Sequence, residues 1–168
     1  MEPSKIEKYI NETGEFIATP VGTSMWPMLR NRRDTVYLVK PQGRLKKYDL
    51  PVYRRSDGTH VMHRCIKVLP DSYVMCGDHQ FIPEHGIKDS QVIAVAKGFY
   101  RDEKYISCDN PLYKLYYHFW CMSLFLRRVM LKIMHIFVPY QKTWELYKKL
   151  CNKTTACANL ILPCCCFL

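Results

Sequence analysis

The sequence predicts a mainly β domain followed by a C-terminal α-helical extension. Over residues 15–107, runs of β-branched and aromatic residues alternate with turn-forming Pro, Gly and Asp. Their spacing favours antiparallel hairpins over alternating strand and helix units. From Pro111 onward, turn signals become rare and long aromatic and aliphatic stretches follow. We therefore expect a β domain over residues 1–110 and a helical, basic and apolar extension over residues 111–168.

The β domain is predicted to begin with a short helix over residues 4–11. A strand over residues 15–19 follows, and Pro20 ends it. Further strands are predicted from β-branched and aromatic composition at residues 35–39, 50–54, 59–69, 72–76 and 91–100. Helices are predicted over residues 112–137 and, after Pro139, over residues 141–151.

Composition narrows the class of protein. The 168 residues are 48% hydrophobic and 24% charged, which is typical of a globular protein rather than of a disordered or polytopic membrane protein. The formal net charge is +10, of which residues 111–168 carry +7. The basic residues are not interleaved as in a nucleic-acid-binding module, so we expect no nucleic acid partner. Nine cysteines, three of them consecutive, favour a reducing compartment over a disulfide framework.

The extension allows two interpretations. Its two long charge-free runs, residues 115–126 and residues 154–168, are each shorter than the roughly 20 residues that a membrane-spanning helix needs. The mixture of apolar residues and cations fits a helix lying on a membrane surface, through residues 112–138, and equally a helix packed on the β domain. The N-terminus is polar and shows no signal peptide or anchor. We expect a membrane-associated or cytoplasmic protein.

Three residues could form a hydrolytic site. Ser24 follows the first strand in a short segment between Gly22 and Pro27. A serine hydroxyl needs a base within hydrogen-bonding reach to act as a nucleophile. His63 lies among apolar neighbours that would hold an imidazole rigidly, and Asp78 follows a strand and could orient that imidazole. The His and Cys residues between positions 60 and 85 lack paired metal-ligand spacing, so we expect no metal.

The sequence motifs around these residues resemble those of the signal peptidase I and LexA superfamily of serine peptidases. The closest resemblance is to the Ser-His branch found in archaeal, endoplasmic-reticulum and sporulation-type signal peptidases. The chain contains four boxes in the family's order and a segment, residues 91–96, similar to its closing strand. The boxes are Gly22-Thr23-Ser24-Met25-Trp26-Pro27, Lys47-Tyr48-Asp49-Leu50-Pro51-Val52-Tyr53-Arg54, His63-Arg64 and Gly77-Asp78.

The resemblance implies a coiled antiparallel sheet of LexA and signal peptidase type. It also implies a serine endopeptidase, without a cofactor, that cleaves signal or leader peptides from a peptide or preprotein substrate. Ser24 would be the nucleophile and His63 the base. Asp78 would be the supporting acid, with Glu84 as the alternative, and backbone N–H groups would form the oxyanion hole. A catalytically silent member of the same fold, binding peptides or membranes, remains the other interpretation.

Overall fold

The computed structural model describes residues 5–137. It is mainly β with C-terminal helices, which confirms the fold class at this level. The elements in chain order are α1 Lys5–Thr13, β1 Glu15–Ala18, β2 Thr35–Val39, β3 Pro51–Arg54, β4 His60–Met62, β5 Arg64–Val68, β6 Tyr73–Cys76, β7 Glu84–Ile87, β8 Val92–Arg101, β9 Lys104–Ser107, α2 Pro111–Cys121 and α3 Leu124–Phe137. The helix predicted over residues 141–151 lies outside the described residues.

The strands form two antiparallel sheets. The first has the order β1-β2-β8-β3-β4, with β9 also paired to β8, and the second has the order β5-β6-β7. Strand β1 is therefore an edge strand of the first sheet. Each sheet has its own buried cluster, which includes Leu29, Val36 and Phe99 in the first and Tyr73 and Met75 in the second.

The single strand predicted over residues 59–69 is two strands. Strand β4 pairs with β3 in the first sheet, whereas β5 pairs with β6 in the second. His63 lies between them and is 1% exposed. The chain thus crosses from one sheet to the other at this histidine, which places its ring between the sheets rather than in the middle of a strand.

Helix α2 packs on the β domain. The Asn110 side chain caps its N-terminus by accepting hydrogen bonds from two backbone N–H groups, and Tyr113 and Trp120 are buried. The first compact unit of the chain accordingly extends to Val129, beyond the boundary predicted at residue 110. The single helix predicted over residues 112–137 is interrupted at Met122 and Ser123. Neither α2 nor any other helix within residues 5–137 is long and apolar enough to cross a membrane.

Candidate active site

The segment that carries Ser24 is a turn-rich loop between β1 and β2. The backbone N–H of Trp26 donates to the Thr23 carbonyl at 3.1 Å, and that of Leu29 donates to the Met25 carbonyl at 2.8 Å. Met25 and Leu29 are buried and anchor the loop in the core. Ser24 itself is half-buried. Within the described part of the chain, the backbone N–H groups of Ser24 and Met25 donate no hydrogen bond.

Ser24 and His63 line the same cleft. Its volume is about 460 Å³, and its wall also includes Gly22, Arg55 and Gln80. The structure therefore brings together the predicted nucleophile and the predicted base, which are far apart in the sequence. None of the hydrogen bonds among residues 5–137 joins the Ser24 hydroxyl to His63.

The His63 ring is held through its Nδ1 atom. Glu84 Oε1 lies 3.0 Å from Nδ1, and the Tyr53 hydroxyl lies 3.1 Å from it. Glu84 is the first residue of β7, so the second sheet supplies the carboxylate. When Nδ1 carries the proton and donates a hydrogen bond to Glu84, Nε2 is left as the acceptor, which is the tautomer a general base needs.

Glu84 is ionised in this setting. Arg55 binds it through two nitrogens, with Nε 2.9 Å from Oε2 and Nη2 in contact with Oε1. Although partial burial opposes ionisation, the hydrogen bonds from Arg55 and Tyr53 and the neighbouring His63 lower the pKa of Glu84 below its usual value. A negative charge therefore faces Nδ1 of His63 at neutral pH.

Burial is the largest influence on His63. Removing the imidazole from water disfavours its charged form, and this lowers the pKa of His63 below the ordinary 6.5. The negative charge of Glu84 opposes the shift without cancelling it. The ring is therefore mainly neutral at pH 7 and able to accept a proton.

Asp78 has a different partner from the predicted one. Its carboxylate binds Arg64 through two hydrogen bonds, from Nη2 at 2.7 Å and from Nε at 3.0 Å, and both side chains are 0% exposed. Tyr116 also donates to this carboxylate at 3.2 Å. Asp78 was expected to orient His63, but the carboxylate at the His63 ring is that of Glu84, the alternative. The reason is that a fully buried guanidinium next to His63 in the sequence requires a carboxylate of its own.

The Asp78 loop also fixes the backbone of the serine loop. The His79 N–H donates to the Ser24 carbonyl at 2.8 Å, and the His79 ring packs edge-on against Trp26 at 5.2 Å between centroids. A Cβ atom at Gly77 would lie 2.5 Å from the same Ser24 carbonyl oxygen. Glycine at position 77 thus allows the two backbones to approach, and the Gly-Asp box supports Ser24 through its main chain.

Two residues in the helices complete this loop, and the sequence analysis did not find them. Trp120 Nε1 donates to the Asp78 carbonyl at 2.8 Å. Arg127 is 1% exposed and donates to the carbonyls of Gly77 at 3.0 Å and Gln80 at 3.1 Å. The signal for Trp120 was its spacing from Tyr113 and Tyr116, which places the three rings on one face of a helix. Arg127 gave no signal, because an arginine in an apolar helix also fits a membrane surface.

The chain has no close match among known proteins. No protein-family model matches it, and neither the curated proteins nor the solved structures include a significant match.

Proposed function

We propose that this chain is a serine endopeptidase that cleaves signal or leader peptides, with a fold of the LexA and signal peptidase type. The observation that carries the proposal is the shared cleft of Ser24 and His63, with Nδ1 of His63 3.0 Å from Glu84. The order of the motifs in the sequence supports the same assignment. Nucleophile, base and orienting carboxylate then come from three separate segments of the chain.

The chemistry is an acyl transfer in two steps. The Ser24 hydroxyl attacks the scissile carbonyl while His63 Nε2 takes its proton, and the proton passes to the leaving amine as the amide bond breaks. Water then attacks the resulting ester and loses a proton to His63, which passes this proton to Ser24 Oγ as the ester bond breaks and the acid product leaves. The free N–H groups of Ser24 and Met25 are suited to stabilise the oxyanion. Catalytic hydrogen bonds often close only when substrate binds, which accounts for the unmade contact between Ser24 and His63.

The direct test is cleavage of a peptide library by the purified protein, alongside the Ser24→Ala and His63→Ala variants. The family resemblance implies substrates with small side chains flanking the scissile bond. We expect cleavage by the unmodified protein and none by either variant, and circular dichroism of each variant separates loss of chemistry from loss of structure. Cleavage that survives in Ser24→Ala would remove the proposal. The absence of cleavage, with and without added lipid, would favour the catalytically silent peptide-binding or membrane-binding member.

The pH dependence of cleavage follows from the buried imidazole. His63 must be neutral to accept the serine proton, and burial lowers its pKa below 6.5. We expect kcat/KM to stay constant as the pH falls from about 8 to about 6.5 and to decline only below that value. An acidic limb centred above 6.5 would contradict the assignment of His63 as the base.

Stability must be followed over the same range. Between its lowered folded pKa and the ordinary 6.5, His63 binds more protons in the unfolded chain than in the folded protein. Stability therefore falls as the pH drops below 6.5. Thermal unfolding at each pH separates loss of structure from protonation of the base.

We further propose that helix α2 places the protein on a membrane surface. Apolar side chains at one helical face remain exposed, and they are Leu112, Leu115, Phe119 and Met122. Phe125 at the start of α3 and Ile82 in the loop after Asp78 are each more than 70% exposed. Arg128 lies over the ring of Phe81 at 5.0 Å and adds a cation beside this apolar surface. An apolar stripe next to cations is typical of helices that lie in the headgroup region.

Co-sedimentation with vesicles of mixed zwitterionic and anionic lipid tests this surface. We expect Leu115→Ser with Phe119→Ser to reduce the bound fraction severalfold, because the two side chains contribute exposed apolar area. A control with Tyr9→Ser and Val68→Ser removes exposed apolar side chains elsewhere and should bind as the unmodified protein does. Equal binding by all three proteins would exclude α2 as the contact.

A further inference from the structure

A second cavity, larger than the catalytic cleft, is strongly basic. Its volume is about 500 Å³, within the range of roughly 300–1,000 Å³ usual for ligand pockets. Its walls are the loop after β2, the middle of β8 and the first turns of α2. We call it the basic groove, because its charged lining consists of the cations Lys40, Arg44, Lys46, Lys47, Lys97 and Lys114 against the carboxylates Asp49 and Asp109.

Most of these cations have no carboxylate partner. Arg44 pairs with Asp89 at 3.4 Å, and Lys114 pairs with Asp109 at 3.1 Å. In the described part of the chain, the other four cations of the groove form no ion pair, and they are Lys40, Lys46, Lys47 and Lys97. Unpaired charges of one sign in a concave site concentrate the electrostatic potential and attract ligands of the opposite sign.

Tyr48 in the wall of the groove is held in an unusual backbone conformation. Its φ angle is +78°, in the left-handed region that bulky residues rarely adopt. Its N–H donates to the Cys65 carbonyl at 2.6 Å, and its carbonyl accepts from Arg64 at 3.2 Å, so fixed neighbours maintain the strain. Its ring packs against Tyr117 at 5.0 Å, and Lys47 Nζ lies 4.8 Å above it. Such strained residues concentrate at binding sites.

Strand β1 runs between the catalytic cleft and a recess that adjoins the basic groove. The cleft includes Ala18 at the end of edge strand β1. A smaller recess of about 380 Å³ lies at the start of that strand, lined by residues 13–15 and 39–42, and residues 39–42 also line the groove. Strand β1 has four residues, so its first and last residues are about 10 Å apart at roughly 3.3 Å per residue. An extended peptide lying in the cleft therefore reaches the groove a few residues from its scissile bond.

We propose that the basic groove binds an acidic segment of the peptide substrate, a few residues away from the bond that is cut. This inference rests on the proposed endopeptidase function. The unpaired lysines come from the loop after β2 and from β8, so their charges are spread along the groove. A ligand with several negative charges along its length matches this distribution. The recess adjoins the groove at one end of strand β1, and the cleft lies at the other end, which favours a polypeptide over an isolated anion or a lipid headgroup. The groove thereby selects precursors by charge, separately from the side chains at the scissile bond.

The test measures binding rather than cleavage. The probe is a fluorescent peptide with a small-residue cleavage site and a run of glutamates several residues away, and its counterpart has glutamines instead. Both are titrated by fluorescence anisotropy against the full chain carrying Ser24→Ala. We expect the glutamate peptide to bind about tenfold more tightly than the glutamine peptide and to lose this advantage at high salt.

Two charge-reversal variants locate the site. Lys46→Glu, Lys47→Glu and Lys97→Glu together should remove the glutamate preference, since all three side chains are exposed and line the groove. The control combines Lys8→Glu, Lys67→Glu and Lys104→Glu, which are exposed elsewhere and change the net charge equally. The control should keep most of the preference. Equal loss in both variants would show attraction by net charge alone and overturn the proposal.

The remaining outcomes separate the two proposals. If the glutamate preference is absent while the unmodified protein cleaves peptides, the groove proposal fails and the function stands. If the glutamate peptide binds through the groove but no peptide is cleaved, the endopeptidase proposal fails instead. Anionic vesicles provide the last comparison. If the groove variant loses vesicle binding and keeps the peptide preference, the ligand is a lipid headgroup and the proposal is wrong.

Discussion

Glu84→Gln is expected to slow cleavage about 10²- to 10⁴-fold with little change in KM. The substitution keeps the size of the side chain but removes the charge that faces Nδ1 of His63 at 3.0 Å. The imidazolium formed during catalysis then loses its counter-charge, and the ring loses the partner that fixes its tautomer. Glu84 is a positioning residue in this scheme, because it acts through His63.

Measurements on Glu84→Gln should include the pH profile as well as kcat and KM separately. The carboxylate raises the pKa of His63, so its removal should move the acidic limb of kcat/KM to lower pH. A purely structural role would lower activity without moving that limb. Glu84→Asp should recover part of the rate, and Glu12→Gln, an exposed glutamate of α1, serves as the matched control. Unchanged kcat in Glu84→Gln would mean that Glu84 does not support the base.

Asp78→Asn is expected to lower the free energy of unfolding by about 3–5 kcal/mol. The amide cannot balance the charge of Arg64, which is 0% exposed and bound to Asp78 at 2.7 and 3.0 Å. An unpaired charge in the interior carries the full cost of its desolvation. We therefore expect Asp78→Asn to lower the free energy of unfolding more than it lowers the rate of cleavage by the folded protein.

Urea unfolding of Asp78→Asn measures this cost, with Asp71→Asn as a control at an exposed loop position. The control should change stability by less than about 0.5 kcal/mol. At temperatures where Asp78→Asn remains folded, its kcat should exceed that of Glu84→Gln. A loss below about 1 kcal/mol would contradict the role of Asp78 as the counter-ion of Arg64. A loss of kcat equal to that of Glu84→Gln would indicate that Asp78 takes part in catalysis.

The sequence singled out Ser24 and His63, which line one cleft, but it did not show which carboxylate lies at the His63 ring. Arg64 lies opposite Cys76 in the β5–β6 ladder, which brings its guanidinium to Asp78 just beyond the end of β6. Glu84 reaches His63 because β7 adds to the other side of β6. Strand β7 has the sequence Glu-His-Gly-Ile, without a run of β-branched or aromatic residues, so its composition did not predict a strand. Whether Asp78 or Glu84 lies at the His63 ring therefore depends on the pairing of β7 with β6.

Helix α2 has two apolar faces, of which one is buried on the β domain and the other is exposed. Tyr113 and Trp120 pack on the β domain, whereas Leu115 and Phe119 remain exposed. Apolar residues at helical spacing indicate that a face is covered, but they do not say by what. One apolar face of α2 packs on the β domain, so the first compact unit includes this helix and extends to Val129.

Arg127 is synthesised after the loop that its side chain stabilises. Its guanidinium satisfies the carbonyls of Gly77 and Gln80, and the loop between them holds the backbone of Ser24. During synthesis on the ribosome, the Arg127 guanidinium cannot donate hydrogen bonds to these two carbonyls until residue 127 has emerged. The Ser24 loop thus reaches its described geometry only after residue 127 has been synthesised. On the proposed function, we expect a nascent chain that stops before residue 127 to lack this support for the Ser24 backbone and to cleave peptides less well than the full chain.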